Sequence, residues 1–210
     1  MGFAGKSGAR SGPPARRGSQ ARTLRIIGGA WRGRKWRFPA GADIRPTPDR
    51  VRETLFNWLG GRTQGARCLD LFAGSGALGL EALSRGAAQV CFVDSCEAAV
   101  RELRLRLSEW QAADARVECR DALAFLKGGG EPCDIVFLDP PFAAGLLAQA
   151  AGGLTQHGWL RRGALVYVEC AAAEQLPPLP QSWQALKAKR AGEVGYHLFT
   201  FSGAQVVSQA

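Results

Sequence analysis

The chain predicts an α/β fold: a mostly parallel, doubly wound sheet of seven strands with a C-terminal antiparallel hairpin, preceded by a small N-terminal β-hairpin. Three observations carry this. Between residues 67 and 169, short apolar runs alternate with amphipathic stretches, so each strand is followed by a covering helix. The runs are apolar on both faces, as in Asp134-Ile-Val-Phe-Leu-Asp139, which is what a strand between two helix layers requires. The last two runs, 183–189 and 196–202, have only residues 190–195 between them, too few for a crossover helix, so they pair antiparallel.

Residues 24–29 and 33–38 read as two short strands around a turn, with basic and aromatic side chains outward. A helix follows within 45–59, with Thr47 as its cap, Pro48 at the first helical position and Asp49 at the positive end. Val51, Leu55, Trp58 and Leu59 share its buried face. Strand 68–72, helix 78–85 stopped by Gly86, and strand 89–94 come next. Ser95 is placed to cap a helix carrying Val100, Leu103, Leu107 and Trp110 on one stripe. Strand 117–119, helix 122–127, strand 134–139, helix 146–154 and strand 164–169 complete the alternation. The domain reading is a disordered basic tail over 1–22, the hairpin over 23–42 and the α/β domain over 43–205.

Charge is distributed unevenly. The 210 residues hold 27 Lys and Arg against 18 Asp and Glu, yet ten of the basic residues precede the first acid, Asp43. A near-neutral domain with a strongly basic arm points to a polyanionic partner. No apolar run approaches the ~18 residues of a membrane span, so no membrane is expected as a partner. The first 22 residues lack the apolar stretch of a secretion signal. They share the acid-free composition of an organelle transit peptide, but Pro13-Pro14 and scattered glycines oppose an amphipathic helix, which favours a disordered tail. Six cysteines without a C-x-x-C pair read as buried, reduced thiols of a cytoplasmic protein. His157 and His197 are isolated, so no metal site is expected.

In open α/β sheets ligands bind beyond the carboxyl ends of the strands. Asp70, Asp94 and Asp139 lie at or near such ends, and Asp121 sits just beyond a fourth; right-handed crossovers bring all four to one edge. After Asp70 the chain reads Leu71-Phe72-Ala73-Gly74-Ser75-Gly76-Ala77-Leu78-Gly79, a G-x-G-x-x-G loop at a helix start. With Asp94 eighteen residues past Gly76, a nucleotide-binding oxidoreductase of the NAD type is one reading. Asp70 favours another, because a carboxylate there repels a pyrophosphate and welcomes a cationic amino-acid group. Asp139-Pro140-Pro141-Phe142 then frames two backbone-fixing prolines with an acid and an aromatic at the ligand edge. The oxidoreductase reading leaves this segment without a role.

Residues 70–81 together with Asp139-Pro-Pro-Phe142 resemble the class I S-adenosylmethionine-dependent methyltransferases acting on exocyclic amino groups. Gly28-Gly-Ala-Trp-Arg-Gly-Arg-Lys35, Arg45-Pro-Thr47 with Val51-Arg-Glu-Thr-Leu-Phe-Asn57, and Gly195-Tyr-His-Leu198 narrow the resemblance to the RsmD family of small-subunit rRNA guanine-N2 methyltransferases. It covers about residues 24–202. The resemblance implies a Rossmann-like class I methyltransferase fold, S-adenosyl-L-methionine as cofactor, and transfer to the N2 amino group of a guanine in 16S rRNA within a small ribosomal subunit or assembly intermediate, by a monomer. It implies that Asp70 and Gly74, Ser75 and Gly76 hold the methionine portion, Asp94 the ribose and Asp121 the adenine amino group. Phe72, Ala73 and Ala122 line the same pocket, and Arg45 and Thr47 close over it. Asp139, Pro140, Pro141 and Phe142 fall to the chemistry. Asp94 stands where many relatives carry Glu, which keeps a carboxylate. A DNA adenine-N6 methyltransferase shares the acid-Pro-Pro-aromatic motif, but the Arg-Pro-Thr helix and the lack of an added sequence-reading domain disfavour it. Arg22, Arg25, Arg32, Arg34, Lys35 and Arg37, interleaved with Trp31 and Trp36, combine phosphate contacts with stacking surfaces for RNA. Pro132-Cys133 lies at the wrong end of its strand, ~20 Å from Asp139, for a nucleophilic role.

Overall fold

The computed structural model describes residues 22–38, 47–141 and 145–203. β1 (Arg22–Arg25) and β2 (Lys35–Phe38) form a two-stranded antiparallel sheet. After α1 (Asp49–Leu59) the chain alternates through β3 (Arg67–Asp70), α2 (Ala77–Ser84), β4 (Gln89–Asp94), α3 (Glu97–Glu109), β5 (Ala115–Cys119), α4 (Ala122–Lys127), β6 (Cys133–Leu138), α5 (Leu146–Gln156) and β7 (Leu160–Ala171). It ends with the hairpin of β8 (Trp183–Ala191) and β9 (Val194–Phe201).

The main sheet has the order β5-β4-β3-β6-β7-β9-β8; β3 to β7 are parallel and β9 is antiparallel to both of its neighbours. Winding runs outward from β3 through β4 to β5, then returns to the other side of β3 at β6. The carboxyl ends of β3 and β6 therefore flank the point where strand order reverses, the natural place for a ligand crevice.

Each face of the sheet carries its own core. On one, Leu55, Phe56, Leu80 and Leu103 of α1, α2 and α3 meet Phe92, Phe137, Tyr167 and Tyr196, together with Leu24, Ile26 and Trp36 of the N-terminal hairpin. On the other, Phe125, Leu147 and Leu154 of α4 and α5 cover Leu69, Val136 and Val166. Gly79 is what lets α2 lie so close to β4, since a Cβ there would fall 2.1 Å from the Phe92 ring.

Several local expectations are corrected. Thr47 does not cap α1: Pro48 is the N-cap, and the Thr47 hydroxyl donates to Glu169 Oε1 at 3.0 Å. Ser95 does not cap α3, which starts two residues later with Cys96 as N-cap. The strand expected over 164–169 extends from Leu160 to Ala171. In β2 the basic residues face outward as expected but the aromatics face inward: Lys35 and Arg37 are exposed, Trp36 and Phe38 buried. Trp31 is half-buried, and Trp31 and Trp36 both meet Trp110 edge-on, at centroid distances of 5.2 and 5.9 Å. All six thiols are free, but only Cys68, Cys133 and Cys170 are buried; Cys91 and Cys96 are half-buried and Cys119 is exposed.

The N-terminal hairpin is locked to the α/β domain by buried polar groups. Arg52 of α1 and Glu81 of α2 are both wholly buried and meet at 3.3 Å. Arg52 also donates to the Thr47 and Arg25 carbonyls and, at 2.6 Å, to Asp49 Oδ1. Glu81 accepts the Ile27 and Gly28 amides at 2.9 and 2.8 Å and Arg85 Nε at 2.8 Å. Ser84 adds a second tie, donating to the Gly28 carbonyl and accepting the Trp31 amide. Gly29 presses against the same helix end at φ +79°, where a Cβ would lie 1.8 Å from the Ser84 carbonyl oxygen. Glu81→Ala removes the buried counter-charge of Arg52, leaving it Asp49 alone, and takes the acceptor from the Ile27 and Gly28 amides; it is expected to cost about 3–5 kcal/mol, read as a lower urea midpoint. In a double-mutant cycle with Arg52→Ala the two losses should fall well short of adding.

Candidate active site

The crevice is built from both sides of the winding reversal. On the β3 side, Asp70 is buried at the strand end, and its Oδ2 accepts the Gly79 amide at 3.0 Å. Burial pushes its carboxyl up to about 7; the Gly79 amide opposes the rise, and the charges of Asp94 and Glu169 add to it. The glycine loop is tied to the next strand, with the Ala73 amide donating to the Val93 carbonyl and the Gly74 amide to Asp94 Oδ2 at 2.6 Å. Asp94 Oδ1 accepts the Cys96 amide at 2.8 Å. Gly74 and Gly76 take φ values of +50° and +73°, and at Gly76 a Cβ would collide with Leu103 at 2.6 Å. Ala73 and Ser75 are buried beneath the loop, while Phe72 is half-buried. Asp121, exposed, is the N-cap of α4 and accepts the Ala124 amide at 2.8 Å; Ala122 behind it is buried. The Arg120 amide bonds the Asp94 carbonyl, so Asp70, Asp94 and Asp121 stand along one edge as expected.

On the β6 side, Asp139 follows the strand directly. The pairing of Leu138 with Val168 sets Asp139 level with Glu169 of β7. Glu169 is buried, and its Oε1 accepts both the Tyr167 hydroxyl at 2.9 Å and the Thr47 hydroxyl at 3.0 Å. Asp139 keeps a partly open surface but is crowded by protein, so its carboxyl is raised well above the usual range. Desolvation is the main cause, and the nearby charges of Glu169 and Asp70 add to it. Glu169 is raised by burial as well, with the Tyr167 and Thr47 hydrogen bonds opposing. Pro140 is buried and Pro141 exposed. Phe142 and Arg45 lie outside the described residues.

Three carboxyl groups thus converge on one recess, each resisting ionisation. Buried close together, such groups stay protonated more readily, and a cation among them would favour their ionised forms. Among the described residues no group of His, Cys, Asp and Glu is arranged to hold a metal ion.

Two participants escaped the sequence reading. In the sequence Glu169 reads as the end of an apolar strand, although the rule that singles out Asp94 and Asp139 applies to it equally. Tyr167, buried within that strand, gave no signal apart from its hydroxyl. Around the hairpin, Arg32, Arg34, Lys35 and Arg37 are exposed. Arg25 is exposed too but pairs with Asp49 at 2.7 Å. The Arg34 guanidinium lies over the Trp31 and Trp110 rings, and Trp36 Nε1 donates to the Ser75 carbonyl of the glycine loop. Arg22 is described in its backbone alone, pairing with Phe38.

Comparison with known proteins fits this geometry. The family model described as Conserved hypothetical protein 95 matches residues 24–200. Ribosomal RNA small subunit methyltransferase D of Escherichia coli K12 is 49% identical over 176 residues, covering 84% of this chain and 89% of that protein. The chain belongs to the RsmD family. The Haemophilus influenzae member is 43% identical over 182 residues, covering 84% of this chain and 93% of its own length. The solved structure of Escherichia coli yhhF, at 46% identity, covers 87% of this chain and all of its own with a TM-score of 0.81. The T. thermophilus 16S rRNA N2 G1207 methyltransferase RsmC, solved with AdoMet and guanosine, is 24% identical with a TM-score of 0.61 and shares the fold. This RsmD-family chain is a class I methyltransferase with a Rossmann-like sheet.

Asp70 carries a consequence for pH. With the folded carboxyl near 7 and the unfolded one near 3.8, the folded state binds the proton more tightly. Its contribution to stability is greatest at acid pH and is lost as pH climbs toward 7. Asp70→Asn, which stays neutral, should flatten that part of the decline in unfolding free energy between pH 4.5 and 7.5; an unchanged slope would place the Asp70 carboxyl in an ordinary range.

Proposed function

We propose that the protein transfers a methyl group from S-adenosyl-L-methionine to the exocyclic N2 amino group of a guanine in 16S ribosomal RNA. The observation that carries this is the Asp139-Pro140-Pro141 turn beside the Asp70–Asp94 crevice, in a chain whose relatives are named small-subunit rRNA methyltransferases.

The crevice residues suit the cofactor. Asp70 is a buried carboxyl that accepts the Gly79 amide and has the acids Asp94 and Glu169 near it, which matches a ligand with a cationic amino group. In this reading Asp70 with Phe72, Ala73, Gly74, Ser75 and Gly76 holds the methionine end. Asp94 takes the ribose hydroxyls, because each of its oxygens retains a lone pair after accepting an amide. Asp121 and Ala122 meet the adenine, and Arg45 and Thr47 cover the pocket. When bound, the cofactor supplies a methyl group already activated on a positively charged sulfonium.

The chain's own task is to make a poor nucleophile react. The guanine amino lone pair is delocalised into the base, so acceptors aimed at its N–H groups favour a pyramidal nitrogen. The Asp139 carboxylate and the Pro140 carbonyl serve as those acceptors, and Asp139 stabilises the positive charge that grows on the nitrogen. A cationic ligand beside Asp139 favours its ionised form, opposing the rise caused by desolvation and, after it, by the charges of Glu169 and Asp70. Phe142 stacks on the base once it has left its own stack. Arg22, Arg25, Arg32, Arg34, Lys35 and Arg37 hold phosphates, with Trp31 beneath Arg34. The substrate is the rRNA of a small subunit or an assembly intermediate, and the protein acts as a cytoplasmic monomer.

The direct test incubates the protein and S-adenosyl-L-methionine with naked rRNA, small subunits and DNA, followed by mass mapping of modified nucleosides. N2-methylguanine in rRNA is expected; N6-methyladenine in DNA would overturn the reading. Asp139→Ala should abolish transfer while cofactor binding measured by calorimetry persists. Asp94→Ala should weaken that binding at least tenfold, and an unchanged dissociation constant would remove Asp94 from the cofactor site.

A further inference from the structure

The far edge of the main sheet has an unusual composition. β8 is the terminal strand, paired on one side with β9 and open on the other. From Gln184 to Arg190 every residue is exposed, so the strand is solvated on both faces, and it carries Lys187, Lys189 and Arg190. Register determines where these cations stand. Lys187 lies opposite Leu198 and Lys189 opposite Tyr196, and both partners belong to the core on the α1 face, where Tyr196 packs against Trp58 at 5.3 Å. Directly opposed residues share a face of the sheet. Lys187 and Lys189 are therefore on the face that also carries the N-terminal hairpin.

Their height in the sheet follows in the same way. β7 and β8 are each antiparallel to β9, so they run parallel to one another, and β8 ends at the edge that carries the catalytic motif. Asp139 is level with Glu169, Glu169 pairs with Tyr196, and Tyr196 pairs with Lys189. Asp139 and Lys189 therefore occupy one cross-strand row, three strand spacings apart, or ~14 Å. That is the span of two or three nucleotides along a nucleic-acid backbone. The exposed cations of the N-terminal hairpin lie on the other flank of Asp139, over α2 and α3.

We propose that Lys187 and Lys189 of β8 form a second phosphate grip, holding the RNA backbone on the side of the target base opposite the N-terminal hairpin. This rests on the reading of the protein as an rRNA methyltransferase and adds to it a surface absent from the basic arm. A base drawn toward Asp139 leaves its backbone spanning the crevice, where the described strand-end side chains are acids that offer a phosphate no partner, so cations on both banks would hold it.

The test is the double variant Lys187→Glu/Lys189→Glu alongside Lys187→Gln/Lys189→Gln, with binding to a small-subunit rRNA fragment measured across a salt series. In the Gln variant the slope of log affinity against log salt should shrink by roughly 1.4, two phosphate contacts on a single strand, and affinity should fall roughly tenfold at moderate salt. The Glu variant should lose more. Cofactor affinity and thermal midpoint should stay at wild-type values in both, since the side chains are solvated. Unchanged RNA affinity and slope overturn the proposal, as does unchanged RNA affinity with new self-association, which would make the lysines guards of an open strand edge. Wild-type protein that methylates no rRNA removes the parent reading instead, whereas active wild type with unaffected variants removes the second grip alone.

Discussion

The buried Arg52–Glu81 pair is the constraint on which the other placements depend. Bringing two charges into a dry core costs more than their attraction returns unless their remaining donors and acceptors are satisfied. Here they are shared among three segments distant in sequence: the N-terminal hairpin through the Ile27 and Gly28 amides and the Arg25 carbonyl, α1 through Asp49, and α2 through Glu81 itself. The linkage reaches the active edge by two routes. α2 begins at the glycine loop, so the residue that holds the hairpin sits on the helix that starts beside the carboxyl end of β3. Arg52 also holds the Thr47 carbonyl, whose hydroxyl reaches Glu169 beside Asp139. Basic hairpin, glycine loop and catalytic edge therefore share one rigid frame. Apolar packing alone tolerates sliding; a guanidinium with fixed partners on three segments does not.

Electrostatics at the active edge run in the opposite sense to those of the surface. Outside, the exposed charged groups of the hairpin and of β8 are cations; inside, Asp70, Asp139 and Glu169 crowd together and resist ionisation. The folded protein sustains this repulsion because the hydrogen bonds of Gly79, Tyr167 and Thr47 fix the geometry before any ligand arrives. Carboxyl groups perturbed in this way cluster at functional sites.

The sheet was legible in the sequence because a strand covered on both faces has a composition that few other elements imitate, and Gln89–Asp94 and Ala122–Lys127 coincide with the expected bounds. The acids at the strand ends were legible through topology: once crossovers are right-handed, all the carboxyl ends lie on one edge. Arg52 and Glu81 were not legible. A charged residue within an amphipathic helix ordinarily faces water, and nothing local to 51–59 or 78–85 names a partner 29 residues away. The hairpin shows a different failure. Tryptophans between arginines suggested stacking on RNA, but a period of two already separates Lys35 and Arg37 from Trp36 and Phe38, and the structure follows that period. Thr47 misled because a Thr-Pro-Asp start satisfies every rule for a cap, whereas a buried carboxylate on β7 offers its hydroxyl a stronger partner than an exposed helix end.

The uneven charge of the chain acquires a spatial meaning from this arrangement. The side chains described at the strand ends, Asp70, Asp94, Asp139 and Glu169, are acids and offer a phosphate no partner. The backbone is left to surfaces that flank the recess, and those surfaces must be rigidly placed, since an error of one ångström at the base is costly to transfer. Mounting cations on a hairpin locked to α2, rather than on a free tail, meets that requirement, and a strand of the main sheet meets it equally well. Of the charge that looks in the sequence like an attached arm, the part on Arg25, Arg32, Arg34, Lys35 and Arg37 stands on a hairpin locked to the same helix that begins at the glycine loop.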